Sequence, residues 1–281
     1  MDGSLDSMAR RAADHIGCEV LSEEFRTSSH RLAQFSAALG ETDAQRLSGQ
    51  VALPTFAHVP VMQSMVEVIG QVAEGFVMHG EHDYAFHRPI VPGQRLFSRS
   101  RLTGVRTNGA GLLLLVTSDT WTHAGDAVCT QVSTCLVTGS AAPVTAGAAA
   151  PARIEAADAP EVVSRHAISP GRTLAYADAA RDYSAYCLDP EVAAEHGFPA
   201  PIVHGMLSLS LVAADLIDSC AAGDASRLRR LGCRFSQPLF SRDGEELVLT
   251  RRMDAAGRIG FGAVDGTGRA VLTRGYAEMA R

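Results

Sequence analysis

The order of secondary-structure patterns repeats along this chain, and that repeat limits the possible folds more than any other feature. Residues 54–73 carry apolar side chains at helical spacing, and residues 202–222 do so again. Each segment is followed by four β-strand patterns with turn residues between them. These strand patterns cover residues 81–87, 95–106, 112–122 and 128–138, and then 228–237, 245–253, 258–264 and 270–279. The repeat predicts an α+β fold in which two curled antiparallel sheets each wrap a long central helix.

Small residues and three prolines dominate residues 140–160, which is the composition of a linker. The 281 residues suffice for two domains on either side of it. We therefore predict an N-terminal domain over residues 1–140, a linker over residues 141–160 and a C-terminal domain over residues 161–281.

Charge and cysteine usage narrow the classes of partner. A net charge of −6 argues against nucleic acid or an anionic membrane surface as the main partner. Six cysteines without a CxxC pair or zinc-ligand spacing indicate reduced thiols and a cytoplasmic protein. The longest apolar stretch, residues 206–217, is too short to span a bilayer. The sequence leaves open whether the chain forms a homodimer.

Two short segments of the C-terminal domain concentrate polar and reactive side chains. Residues 180–190 read Ala-Arg-Asp-Tyr-Ser-Ala-Tyr-Cys-Leu-Asp-Pro, and residues 201–206 read Pro-Ile-Val-His-Gly-Met. A short helix is predicted over residues 173–181. Asp189 is placed to cap a second short helix that ends before Gly197.

Together these segments resemble the active-site segment of the MaoC-like, (R)-specific enoyl-thioester hydratases and dehydratases. The family pattern runs Asp-x-Asn-Pro-x-His-x-Asp-Pro, then a short helix, Gly-Phe and Pro-Ile-x-His-Gly-Met. The matching residues are Asp182, Asp189, Pro190, Gly197, Phe198 and Pro201–Met206. Ser184, Ala185 and Cys187 stand where the family has Asn, Pro and the catalytic His. Residues 79–93 resemble the first domain of two-domain members, so the resemblance covers nearly the whole chain and implies a double hotdog fold.

The resemblance also implies roles for particular residues. In the family an Asp and a His activate water together, and the amide of the Gly at the helix start holds the thioester carbonyl. The candidate catalytic residues are Asp182, Cys187 and Gly205, and the candidate substrate-binding residues are Ser184, Tyr183, Tyr186 and His204. From the residues alone, the alternative for Asp182 is an N-cap or a turn residue, and the alternative for Gly205 is close helix–sheet packing.

Cys187 decides how the chemistry is interpreted. A carboxylate neighbour and burial both raise the pKa of a thiol, so next to Asp182 we expect a neutral thiol, which is a poor general base. One alternative is a small buried cysteine that fills the space of a histidine. The others are a site in which Asp182 is the only acid and base, or one in which Cys187 is a nucleophile with His204 as a candidate partner.

His79, Glu81, Asp83 and His87 fall on one face if residues 79–87 form a regular strand. Their spacing matches no strong metal-ligand pattern, so we expect no metal. We also expect no cofactor beyond the coenzyme A or phosphopantetheine that carries the substrate.

The function predicted from the resemblance is hydration or dehydration of a 3-hydroxyacyl or enoyl thioester. The substrate is bound to coenzyme A or to an acyl carrier protein, which would then be a partner. The altered motif favours a specialised, biosynthetic substrate. The alternatives are a pocket repurposed for cyclisation, isomerisation or thioester hydrolysis, and a catalytically silent acyl-binding subunit.

Overall fold

The structure is a computed structural model that describes residues 4–152, 161–254 and 257–280. An N-terminal region precedes the first predicted helix and was not anticipated from the sequence. It consists of α1 (Leu5–Asp14), β1 (Glu19–Leu21), β2 (Phe25–Arg26), α2 (Ser29–Ala38) and α3 (Ala44–Leu47). The rest of the first half contains the 3₁₀ helix η1 (Pro54–Val61), α4 (Met62–Gly70), β3 (Met78–Phe86), β4 (Arg95–Asn108), β5 (Gly111–Thr122), β6 (Ala127–Thr138) and β7 (Thr145–Gly147).

The second half repeats this order of helix and strands. It contains β8 (Glu161–Ile168), α5 (Pro170–Ala180), α6 (Ala185–Leu188), α7 (Pro190–Glu195), α8 (Gly205–Ala221), a short 3₁₀ helix (Ala225–Arg227), β9 (Leu228–Phe235), β10 (Glu245–Met253), β11 (Ile259–Asp265) and β12 (Ala270–Met279). Asp189 caps α7 by accepting hydrogen bonds from the N–H groups of Glu191 and Val192, and Gly197 follows with a φ of 79°. The predicted cap and stop of this helix are therefore confirmed.

The two halves have the same sheet topology. The strand order is β4-β5-β6-β3 in the first half and β10-β11-β12-β9 in the second, so the strand that follows the helix lies at the inner edge each time. β3 and β9 then pair antiparallel, with Glu81 opposite Arg234 and Ala85 opposite Arg230. The predicted α+β double hotdog is confirmed, and its two curled sheets join along this seam into one 12-stranded sheet.

The prediction of one continuous helix over residues 54–73 is wrong. Its first eight residues form η1, and only Met62–Gly70 is α-helical. Pro60 lies inside η1. In an α-helix its ring would clash with the carbonyl four residues earlier, and it has no N–H to donate. The predicted helix of the second half is confirmed as α8.

The predicted linker is only partly described. Within it, β7 pairs with β4, so residues 145–147 extend the first sheet. Residues 153–160 lie outside the described residues, and the domain boundaries on either side of the linker stay predictions.

The main hydrophobic core crosses the seam. It contains buried residues of α2 and η1 from the first half together with those of α5, α8 and β9–β12 from the second. A separate core lies between α1, α4, β4 and β5. The six cysteines are all free, as predicted. Among the described residues, no helix has both the length and the apolarity needed to cross a membrane.

Candidate active site

The carboxylate of Asp182 lies directly after α5. This helix ends at Arg181, which has a left-handed φ of 57°, and the Asp182 N–H donates to the Ala177 carbonyl. The Asp182 Oδ1 accepts hydrogen bonds from the Ser184 N–H at 3.2 Å and from the Ser184 hydroxyl at 2.6 Å. Ser184 therefore holds the Asp182 carboxylate by one of its two oxygens.

His204 connects this turn to the start of α8. Its Nε2 donates to the Asp182 carbonyl at 3.0 Å and lies 3.9 Å from the Asp182 Oδ1. Burial lowers the pKa of His204, while the Asp182 charge and this hydrogen bond raise it. Its Nδ1 is buried without a hydrogen-bond partner among the described residues. This bonding pattern favours a structural role for His204, which fixes the Asp182 turn against the helix start.

Gly205 is the first residue of α8, the helix to which His204 is the N-cap. The first N–H groups of an α-helix have no intrahelical acceptor and carry the positive end of the helix dipole. The ring of Phe235 packs against Gly205, and a Cβ built there would lie 3.0 Å from two of its carbons. The site therefore combines a carboxylate with free backbone donors, held together by His204.

Cys187 is buried in α6, five residues beyond Asp182. Burial raises the pKa of its thiol well above the usual range, and the Asp182 charge raises it further. The expectation of a neutral thiol is confirmed in direction and cause. The thiol is therefore a weak base and a weak nucleophile at neutral pH.

The two candidate tyrosines differ in their surroundings. Burial raises the pKa of Tyr186, with a further contribution from Cys187, and its ring meets Phe76 edge-on at 4.9 Å. Tyr183 is 61% exposed. The structure thus brings Tyr186 to Cys187 and Asp182, while Tyr183 extends to the surface, and substrate binding by either stays a prediction.

A group of histidines from the first half lies against this site, and the sequence did not indicate it. His58 of η1 stacks on His79 of β3 at 6.0 Å and meets His82 edge-on at 5.3 Å. Burial lowers the pKa of His58, and burial together with the nearby His58 ring lowers the pKa of His79 to about 3. The Asp182 charge acts in the opposite direction on both rings, so the two lie near its carboxylate.

The condition under which residues 79–87 would have one polar face, a regular strand, is not met. A bulge at Gly80 separates His79 from Glu81 in the pairing of β3 with β6. His79 consequently lies beside His82, with 3.1 Å between its Nε2 and the His82 Nδ1, while Asp83 accepts from the Tyr276 hydroxyl. Within the described part of the chain, no group of three or more His, Cys, Asp or Glu side chains has the arrangement of a metal site.

A surface cleft lies at the opposite end of the β3–β9 seam. Phe86 and Arg88 line it on one side, and Leu228 and Arg229 on the other. The histidines and Phe235 lie at the other end of the same two strands. The candidate site is therefore separate from this cleft.

Two protein-family models match successive parts of the chain. Residues 14–131 match the family model described as FAS1-like, dehydratase domain region, and residues 153–259 match the model described as MaoC like domain. Asp182, Cys187 and Gly205 all fall within the residues that match the MaoC-like model.

Similar proteins cover most of the chain. "Peroxisomal multifunctional enzyme type 2" of Mus musculus is 25% identical over 242 residues, which are 81% of this chain but only 32% of the mouse protein. "Enoyl-CoA hydratase 2, peroxisomal" of Arabidopsis thaliana is 27% identical over 218 residues, covering 70% of this chain and 67% of that protein. The crystal structure of a MaoC-like dehydratase from Phytophthora capsici superposes with a TM-score of 0.84 at 21% identity, covering 97% and 98% of the two chains. That likeness shows a shared fold.

The residues that the sequence did not indicate are His58 and its partner Gln131. His58 is one of only two titratable residues in residues 54–70, the other being Glu67. A charged or titratable residue in an apolar segment is a usable signal, because burying it requires a partner. Gln131 carries no comparable signal, since it occupies one position in a strand pattern.

Proposed function

We propose that this protein is a hydratase or dehydratase of acyl thioesters, acting on a 3-hydroxyacyl or enoyl group. The observation that carries the proposal is the hydrogen bond from His204 to the Asp182 carbonyl, which ties the turn that carries this carboxylate to the residue that caps α8. The matches to dehydratase and MaoC-like family models support it. The name of the Arabidopsis relative supports an enoyl group on coenzyme A.

The chemistry needs a group that moves a proton of water and a donor for the thioester oxygen. In hydration, water adds to C3 of the enoyl group while negative charge builds on the carbonyl oxygen. The Gly205 N–H at the start of α8 is suited to that oxygen, because a helix N-terminus favours negative charge. Asp182, fixed by Ser184 through Oδ1, is suited to the water. Dehydration uses the same groups in reverse.

This addition of water needs from the protein only proton transfer and a donor to the carbonyl oxygen, so the proposal includes no metal or cofactor beyond the carrier of the acyl group. That carrier is coenzyme A or the phosphopantetheine of a carrier protein. Cys187 in place of the motif histidine favours a specialised, biosynthetic substrate. The reduced cysteines favour the cytoplasm.

The test is turnover of crotonyl-CoA and of 3-hydroxybutyryl-CoA by the parent and by Asp182→Asn. We expect the variant to lose about 100- to 10,000-fold in kcat, the usual contribution of a positioned acid or base. Asp178→Asn is the matched control, because Asp178 is exposed on the preceding helix. Equal turnover by both variants, or no turnover by the parent on either thioester, would contradict the proposal.

A further inference from the structure

His58 has one ring nitrogen in a defined hydrogen bond. The Gln131 Nε2 donates to the Ala57 carbonyl at 3.0 Å, which fixes the orientation of the Gln131 amide. The Gln131 Oε1 therefore faces the His58 Nδ1 at 3.2 Å and must accept from it. In the neutral ring, this puts the proton on Nδ1 and leaves the lone pair on Nε2.

The Nε2 of His58 is available as a base. It has no hydrogen-bond partner among the described residues, although the ring itself is 2% exposed. Burial lowers the pKa of His58, so the ring is neutral at pH 7. A neutral imidazole with one nitrogen held by a hydrogen bond and the other free is the form that accepts a proton.

Packing brings His58 to the site described above. η1 lies against α8 and α5, which are the two helices that position Gly205 and Asp182. The ring of His58 stacks on His79, and His79 contacts Phe235, the ring that lies against Gly205. The Asp182 Oδ2 also accepts no hydrogen bond from the described residues. Both atoms are acceptors that no described donor satisfies, and a bound water can donate to such acceptors.

We propose that His58, contributed by the first half of the chain, is the catalytic base that takes the proton from water in this site. The proposal rests on the function proposed above. The family motif has an imidazole at the position of Cys187. In this proposal the imidazole comes instead from η1, on the other side of the seam between the two halves. Gln131 is then a positioning residue, which acts by fixing the tautomer of His58.

The proposed step is balanced. As the water oxygen bonds to C3, a proton passes from water to the His58 Nε2. The electron pair of the C2=C3 bond moves to form the enolate, whose oxygen the Gly205 N–H holds. The imidazolium then returns the proton to C2, so that one water is added and the protein is unchanged. Asp182 accepts a hydrogen bond from the second O–H of the water, which stays intact as the new hydroxyl group, and stabilises the imidazolium by its charge.

The test uses His58→Asn, because the Asn side-chain amide can still donate to the Gln131 Oε1 but has no basic nitrogen. We expect kcat on crotonyl-CoA to fall by about 100-fold or more, with unchanged circular dichroism and melting temperature within a few degrees. The double variant His58→Asn/Asp182→Asn should lose at most about tenfold more than the worse single variant, since residues acting as a unit are not additive. His87→Gln is the matched control, because His87 is exposed at the far end of β3.

A second measurement does not depend on how a variant folds. In the parent labelled with ¹⁵N-histidine, we expect the His58 Nδ1 to be protonated and its Nε2 to shift when the saturated butyryl-CoA binds. If His58→Asn is folded and within threefold of the parent, or if Nε2 carries the proton, the proposal is overturned. If Asp182→Asn is inactive in that case, the proposed function stands without a catalytic role for His58. An inactive parent would overturn both.

Discussion

Replacing Gly205 by proline removes one hydrogen-bond donor from the start of α8 and tests whether that donor holds the thioester oxygen. Proline is well tolerated at the first position of a helix, because its fixed φ suits the helix and the missing N–H had no intrahelical acceptor. The preceding residue, His204, has a φ of −53° and a ψ of 126°, which is the extended conformation that a following proline requires. The helix should therefore survive the change.

The expected loss can be separated into two parts. Removing one donor to a developing oxyanion costs about 100- to 1,000-fold in kcat, or about 2.7–4 kcal/mol. The new Cβ would also lie 3.0 Å from Phe235. Overpacking of this kind costs roughly 1–3 kcal/mol of folding stability. Gly205→Ala adds the same Cβ but keeps the N–H, so the difference between the two variants isolates the donor.

The assay is steady-state hydration of crotonyl-CoA by the parent and both variants, with chemical unfolding of each. We expect similar unfolding free energies for the two variants and a kcat for Gly205→Pro that is about 100-fold or more below that of Gly205→Ala. If both variants lose activity equally, crowding by Phe235 explains the loss, and Gly205 is not the donor.

Three further predictions concern the same structure. Cys187→Ser should keep kcat within a few fold of the parent, because burial and the Asp182 charge keep the thiol protonated; a severe loss, or thiolate labelling at pH 7, would make Cys187 a nucleophile. Acid should destabilise the fold below pH 6.5, because the pKa of His79 is lowered from 6.5 to about 3 in the folded protein. Between these two pH values the unfolded chain binds more protons than the folded chain, so stability falls as the pH falls. The slope is at most about 1.4 kcal/mol per pH unit for this ring, and His79→Gln should reduce it in unfolding experiments across pH. Arg46→Met should lower the free energy of unfolding by about 3–5 kcal/mol in denaturant, because it leaves the buried Glu41 carboxylate without its cation. Adding Glu41→Gln should recover part of that loss, and no recovery would contradict this explanation.

The strand patterns of the second half show how far local sequence is sufficient. The predicted bounds of β10 and β12, residues 245–253 and 270–279, coincide with those of the structure. A strand is recognised from the pattern of apolar and polar side chains in neighbouring residues, so it can be predicted without knowledge of the rest of the fold. The cap of α7 by Asp189 is local in the same way, because donor and acceptor are at most three residues apart.

Local sequence was less informative where one residue interrupts a regular helix or strand. The apolar spacing of residues 54–73 predicted one helix, yet Pro60 prevents an α-helical backbone through η1. The bulge at Gly80 likewise moved His79 to a different set of neighbours than a regular strand would give it. The spacing of apolar residues predicts side-chain positions only for a regular helix or strand. A proline or a β-bulge changes the direction of the side chains that follow it.

The sequence by itself determined the α+β repeat, the helix that starts at Gly205 and the turn that carries Asp182, because each depends on residues close together in the chain. Only the tertiary structure decided that β3 and β9 would pair and that η1 would pack against α5 and α8. That packing brings His58 to a carboxylate 124 residues away along the chain. No local pattern encodes such a meeting, because it follows from the burial of two apolar surfaces against each other.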